Sequence, residues 1–209
     1  MDPAEAAEMI GEVSEEKAEH EAVNRFRSRA ALLIALIAAV LAVGGLGGGN
    51  ATDDMVINTI RASDTWAFFQ AKNVRQTGYE LAVERLEDEL AISSGTARMP
   101  LERRLAAYRA QIARYDSEPD PAAPNDPTAG EGKRQLSARA RAFEEARETA
   151  MARDDNFDWA EVLLQIALVL GSVAILAINR AILILSAVLG ALGTLLVING
   201  FTLLVTLPF

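Results

Sequence analysis

The chain has no cysteine and a single histidine, His20. The first absence excludes disulfides and thiolate metal sites. The second leaves His20 with no histidine partner, so it reads as a solvated residue rather than a metal ligand. No Gly-rich phosphate loop, HExxH pair, nucleophile elbow or Cys/His cluster is present. The run Glu84, Glu87, Asp88 and Glu89 places some carboxylates on one helical face, but no Glu-x-x-His accompanies it, so a di-iron site has no support. No catalytic residue, cofactor or metal is therefore expected, and the chain is not expected to be an enzyme. A formal net charge of −9 argues against nucleic acid as a partner. Aromatic residues are sparse, at 6%. Four of them, Trp66, Phe68, Phe69 and Tyr79, nevertheless crowd into the polar stretch ASDTWAFFQAKNVRQTGYELA, residues 62–82.

Charge is missing from whole segments, although the chain is 23% charged and 51% hydrophobic. Residues 30–46 carry none, and residues 162–207 carry only Arg180. Uncharged runs of ~17–25 residues suit a helix crossing ~30 Å of hydrocarbon, where every backbone group must pair internally. Three transmembrane helices are expected, at 30–48, 159–178 and 181–207. The first begins behind an acidic region and ends in GGLGGGNATDD, a poor cleavage site, so it reads as a signal anchor. A single helix from Trp159 to Phe209 would run ~75 Å, too long for one bilayer, so Asn179-Arg180 reads as a tight hairpin turn.

Arg25, Arg27 and Arg29 precede the first span, and Arg180 lies in the hairpin turn. Asp53, Asp54, Asp154, Asp155 and Asp158 flank the opposite ends. The positive-inside rule then predicts a cytoplasmic amino terminus, with the 50–158 region and the carboxyl terminus on the far side, in the periplasm if the cell is Gram-negative. Phe157 and Trp159 fit an interfacial aromatic belt.

Outside the spans the chain reads as helix. Residues 1–29 form an acidic amino-terminal segment with no Gly or Pro within 12–28. Residues 51–92 predict one long helix. Ile60, Ala67, Val74 and Leu81 recur every seven residues as its packing stripe, with Ala71, Gly78 and Arg85 beside them; further along Tyr79, Val83, Leu86 and Leu90 take over, so the buried face drifts around the axis. Ser93-Ser94-Gly95 ends it. A second helix, about 99–116, carries Leu101, Leu105, Tyr108, Ile112 and Tyr115 at 4-3-4-3 spacing, the clearest coiled-coil pattern in the chain. Residues 117–132 hold four of the seven prolines and read as an extended, solvated linker before a third helix at about 133–155. One helix of ~42 residues is matched in length by two of ~18 and ~23, at 1.5 Å per residue. The expected fold is thus an all-α membrane protein, with three spans and an antiparallel, coiled-coil-like extramembrane stalk.

FRSRAALLIALIAAVLAVGGLGGGNA followed by the Trp66 segment resembles a bacterial membrane family known as domain of unknown function 4337. Trp66, Ala67, Phe68, Phe69, Gln70, Ala71, Lys72, Arg75 and Gln76 match its W-A-[FY]-[FY]-Q-A-K-x-x-[RK]-Q signature. The resemblance implies one span, a charged helical region and a carboxyl-terminal hairpin of two spans. It implies no activity.

The leading functional expectation is a membrane scaffold or accessory subunit, embedded in the lipid bilayer and acting as a homo-oligomer or within a larger membrane complex. Its candidate interface is Trp66, Ala67, Phe69, Ala71, Lys72, Arg75, Gly78, Leu101, Leu105, Tyr108 and Ile112. Small residues at four-residue spacing, including Gly171 and the set Ser186, Gly190 and Thr194, are the candidate packing positions of the membrane hairpin. The alternative is an oligomeric channel or transport component, with Asn199 or Gln165 facing a pore.

Overall fold

The computed structural model describes residues 3–205, with side chains from residue 16. Met1, Asp2 and positions 206 and 207 of the expected third span lie outside them. The described residues form four α-helices: α1 Pro3–Ile92, α2 Arg98–Asp116, α3 Lys133–Ala177 and α4 Arg180–Thr202. A 3-10 turn, Gly95–Ala97, links α1 to α2. No strand occurs among them. Three helices, α1, α3 and α4, are long and apolar enough to cross a membrane.

Two helices run on where composition changes. α1 continues through GGLGGG, and α3 continues through the junction at 155–159. Glycine weakens a helix by about 1 kcal/mol per residue but keeps its N–H in the ladder, unlike proline. Gly44 and Gly47 are buried against other side chains, so packing offsets that cost. No proline or glycine stands at 155–159, and Asp155, Asn156 and Asp158, residue types that often cap helices, stay within the α3 ladder.

Two compact units divide the chain: Met1–Thr52 with Ala150–Phe209, and Asp53–Thr149. In the first, small residues alternate with Ile37, Phe157, Leu164 and Val197 on the inside, and other large apolar residues face outward. α4 buries Ser186, Gly190, Gly193, Val197 and Gly200, a 4-3-4-3 pattern. α3 buries Phe157, Ala160, Leu164, Ala167, Gly171 and Ala174 at complementary spacing. α1 contributes Ala30, Ile37, Gly44 and Ala51, seven residues apart. A Cβ on Gly190 would lie 2.7 Å from Ile37, and one on Gly193 would lie 2.7 Å from Leu164. The backbones therefore approach as closely as only glycine permits. Leu36, Leu46, Val169, Leu176, Ile184 and Leu195 are each more than 60% exposed.

The turn between α3 and α4 is tight. Ile178 takes a left-handed backbone, φ 51°, and the Asn179 amide donates to the Ala174 carbonyl at 3.2 Å, closing α3. The Asn179 side chain then caps α4, accepting from the amides of Ala181 at 2.9 Å and Ile182 at 3.4 Å. The hairpin turn read from Asn179-Arg180 is present.

In the second unit α1 and α3 pair in opposite directions. The Trp66 indole N–H donates to Glu144 at 2.9 Å, and Lys133 donates to Asn73 at 2.9 Å. The face of α1 turned inward is the expected one at Tyr79, Val83, Leu86 and Leu90, but not before them. Ala62, Lys72, Gln76, Leu86 and Leu90 are buried, with Thr65, Trp66, Phe69, Tyr79 and Val83 partly covered between them. Ile60, Ala67, Val74 and Leu81 are exposed, Val74 at 72%. The seven-residue period holds, but its buried phase is displaced by two residues. The reason is that Lys72 and Gln76, two polar residues, occupy inner positions.

The stretch 117–132 is not an extended spacer. Glu131 N–H donates to Glu118 O at 2.9 Å and Asp120 N–H to Ala129 O at 3.2 Å, so its two ends pair. Asp120 and Asp126 each accept a backbone amide two residues on, at 2.8 Å, in local turns. Thr128, chiefly through its hydroxyl and then its amide, holds the Asp126 carboxyl below the usual range. Proline removes donors but leaves carbonyls, and these turns use only the donors that remain.

Candidate interaction surface

The aromatic segment on α1 splits into an inner and an outer face. On the inner face Trp66 and Phe69 meet edge to face, with ring centroids 5.4 Å apart. Lys72 is 5% exposed. Its ammonium donates to the Glu131 carbonyl and lies 3.4 Å from the Glu131 carboxylate and 4.0 Å from Glu118. It also stands 5.0 Å from the centre of the Phe68 ring. Gln135, also buried, accepts from the Glu118 amide at 3.1 Å, and Arg139 donates to the carbonyls of Thr128 and Gly130 at 2.9 and 2.8 Å. Lys72, Gln135 and Arg139 thus fix the loop to α1 and α3. The amide of Gln76 donates to Glu80 at 3.0 Å, while its Oε1, buried, meets no donor.

The α2 stripe faces α1. Leu101, Leu105, Tyr108, Ile112 and Tyr115 are all partly covered. Tyr79 meets Tyr108 edge to face at 5.2 Å and lies 5.9 Å from Tyr115. These three rings, with Arg75, Gly78 and Ala82, line an open cleft of about 490 Å³. Arg109 ties α2 to Glu87 on α1 at 2.5 Å.

The outer face carries the small residues. Ala67, Ala71 and Gly78 are exposed, and a Cβ on Gly78 would meet nothing within 4 Å. They belong to a second heptad run: Ile57, Ile60, Ala67, Ala71, Val74, Gly78 and Leu81, interrupted at Asp64 and all exposed. Of the expected interface, then, Trp66, Phe69 and Lys72 are occupied by this chain's own α3 and loop. Leu101, Leu105, Tyr108 and Ile112 lie on the half-covered face of α2. Ala67, Ala71, Arg75 and Gly78 remain open.

Within the hairpin, Ser186 donates to the Ala167 carbonyl at 2.7 Å and would sit 3.1 Å from a Cβ on Gly171. Gly171 and Ser186 thus meet, and Gly190 faces Ile37 and Ala167 one turn further along. Thr194 is only partly buried and donates back to Gly190 O at 2.7 Å, within its own helix. Gly47 and Gly200, which four-residue spacing missed, bracket Phe157. A Cβ on either would lie within 2.8 Å of that ring. The signal that finds Gly193 and Gly200 is the 4-3-4-3 continuation of Ser186 and Gly190. Phe157 is 4% exposed and stacks edge to face on Phe201 at 4.9 Å, so it is a core residue rather than part of an aromatic belt. Asn199 donates to Asn156 and to the Val205 carbonyl, both at 2.8 Å, and Gln165 donates to Glu161 at 2.7 Å.

An all-helical chain of this kind, with three helices able to cross a membrane and no group of acidic or imidazole side chains among the described residues able to hold a metal, defines a class rather than a reaction. Residues 26–203 match the family model described as Domain of unknown function (DUF4337), and the chain belongs to that family. Neither the curated proteins nor the solved structures contain a match.

Proposed function

We propose that the protein is a non-enzymatic scaffold of the bacterial inner membrane that self-associates through the outer face of α1. The three apolar helices are its spans. Arg25, Arg27, Arg29 and Arg180 mark the cytoplasmic end, and the 50–158 region is an antiparallel periplasmic stalk. The observation that carries the reading is the second heptad run on α1. Its large apolar members, Ile57, Ile60, Val74 and Leu81, are 44–72% exposed. Seven-residue periodicity is the spacing by which one helix meets another, and it has no use for a helix face that meets only water. Copies inserted the same way bring their α1 helices together in parallel, in register. Asp64 then meets its own counterpart, a polar layer of the sort that fixes register at some cost in stability. The pore reading draws no such support, because Asn199 and Gln165 are engaged within the chain.

The cysteine-free chain makes the test direct. Val74→Cys should crosslink between copies in membranes with a short bis-maleimide. Glu84→Cys, exposed but off the run, should not. Equal crosslinking at both positions, or none at Val74, would refute the proposal.

A further inference from the structure

Among the described residues, no acidic partner lies within ion-pair distance of Arg25, Arg27, Arg29 or Arg180. All four are exposed. Residues 22–52 contain no Asp or Glu, and neither do residues 162–202. Within the first unit the register of α1 and α4 can be carried to these side chains. Ile37 packs on Gly190, and Val197 packs on Gly44, where a Cβ would lie 3.0 Å away. Both contacts have the same offset, so the helices run parallel and in step. With a rise of 1.5 Å per residue on both helices, stepping back from Gly190 to Arg180 brings α1 to Arg27. The arginines of two different helices therefore stand at one level. Arg25 and Arg29, one turn apart, line a shallow depression with Asn24, Ser28 and Glu21. Glu21 lies on the outer side of Arg25 and forms no ion pair with it. Immediately inward, Leu32, Leu36 and Ile184 are 64–67% exposed.

We infer that this arginine collar is a binding site for the phosphate headgroup of an anionic membrane lipid, a ligand class the scaffold reading does not require. Guanidinium is the side chain best shaped to hold phosphate oxygens in pairs. Continuity with the exposed leucines and isoleucine just inward commits the site to a lipid, since a free phosphate uses only the charge. Juxtamembrane basic residues near an anionic surface are each worth about a fivefold change in affinity, and the attraction weakens with salt.

The inference rests on the three helices being membrane spans, and the experiment separates the two. Full-length protein reconstituted in phosphatidylcholine vesicles with a minority of spin-labelled phosphatidylglycerol should immobilise that lipid in preference to spin-labelled phosphatidylcholine. The paired variant Arg27→Gln with Arg180→Gln should lower the preference about 25-fold or to none. Arg27→Lys with Arg180→Lys should keep most of it, which guards against a folding defect. Arg141→Gln with Arg153→Gln, equal in charge, should leave it unchanged. Protein that inserts and resists carbonate extraction yet shows no headgroup preference overturns the lipid site alone. Protein extracted by carbonate overturns the membrane reading with it. Loss of the preference on adding millimolar inorganic phosphate, at constant ionic strength, overturns the lipid as ligand.

Discussion

Replacing Lys72 with methionine should leave global stability almost unchanged while releasing the 117–132 loop. The Lys72 side chain is 6% exposed, so its ammonium has given up most of its hydration, at an effective cost of several kcal/mol. What it gains is of similar size. A charged hydrogen bond to the Glu131 carbonyl contributes about 1.5–3 kcal/mol. The cation beside Phe68, at 5.0 Å, adds about 1–2 kcal/mol. The Glu131 carboxylate, 68% exposed, adds less than about 1 kcal/mol because water screens it. Methionine keeps the stem packed and removes both the cost and the gain, so the free energy of unfolding should change by less than about 1 kcal/mol. Lys72→Ala loses the stem as well and should cost about 2–3 kcal/mol more. Locally the two variants should agree. With the anchor gone, the amides of Glu131 and Asp120, which close the loop onto Glu118 and Ala129, should lose protection. Hydrogen exchange read by mass spectrometry on peptides covering 117–132, beside thermal unfolding in detergent, measures both effects. Full loop protection in Lys72→Met would refute the anchoring role. A global loss as large as that of Lys72→Ala would refute the balance of terms.

Two further outcomes test the packing of the first unit. Gly47→Ala puts a methyl 2.6–2.9 Å from the Phe157 and Phe201 rings and should cost about 1–3 kcal/mol, whereas Gly45→Ala meets nothing within 4 Å and should gain up to about 1 kcal/mol of helix propensity. Thermal midpoints in one detergent compare them, and equal effects would mean that Phe157 does not fill that space. Ile178→Gly relieves a left-handed backbone that costs a branched residue about 1–2 kcal/mol, against lost burial of a side chain already 43% exposed. A small rise in midpoint is expected, and a clear fall would show that the side chain, not the turn, governs that position.

The helices able to cross a membrane were legible because lipid imposes a single requirement, length without charge, and residues 30–48 and the stretches of 162–207 on either side of Arg180 meet it openly. The turn at Asn179 was legible for the same reason, as a polar pair in the middle of an apolar run too long for one crossing. Helix ends were not, where composition changed and packing overrode the local stop and capping signals. Neither six residues of mostly glycine at 44–49 nor the acidic junction at 154–158 breaks the ladder. The hairpin contacts were half legible. Four-residue spacing found Gly171, Ser186 and Gly190, but not the alternation of four and three that carries the contact on to Gly193 and Gly200.

The phase of α1 was legible at Tyr79, Val83, Leu86 and Leu90 and hidden before them for a physical reason. Hydrophobicity assigns the buried face to Ile60, Val74 and Leu81, yet the buried positions include Lys72 and Gln76. A lysine is buried only where carbonyls and carboxylates converge on it, and those of Glu131 and Glu118 come from a loop that the prolines made look like a spacer. The two misreadings are therefore one. Once the loop is folded, Lys72 has its partners, the face that carries Lys72 and Gln76 beside Trp66, Phe69 and Leu86 can turn inward, and the apolar heptad run is left outside. The exposed heptad run is the surface that the scaffold proposal assigns to a second helix. That is why the crosslink at Val74 bears on function more directly than any substitution at Trp66, whose indole is already bonded to Glu144.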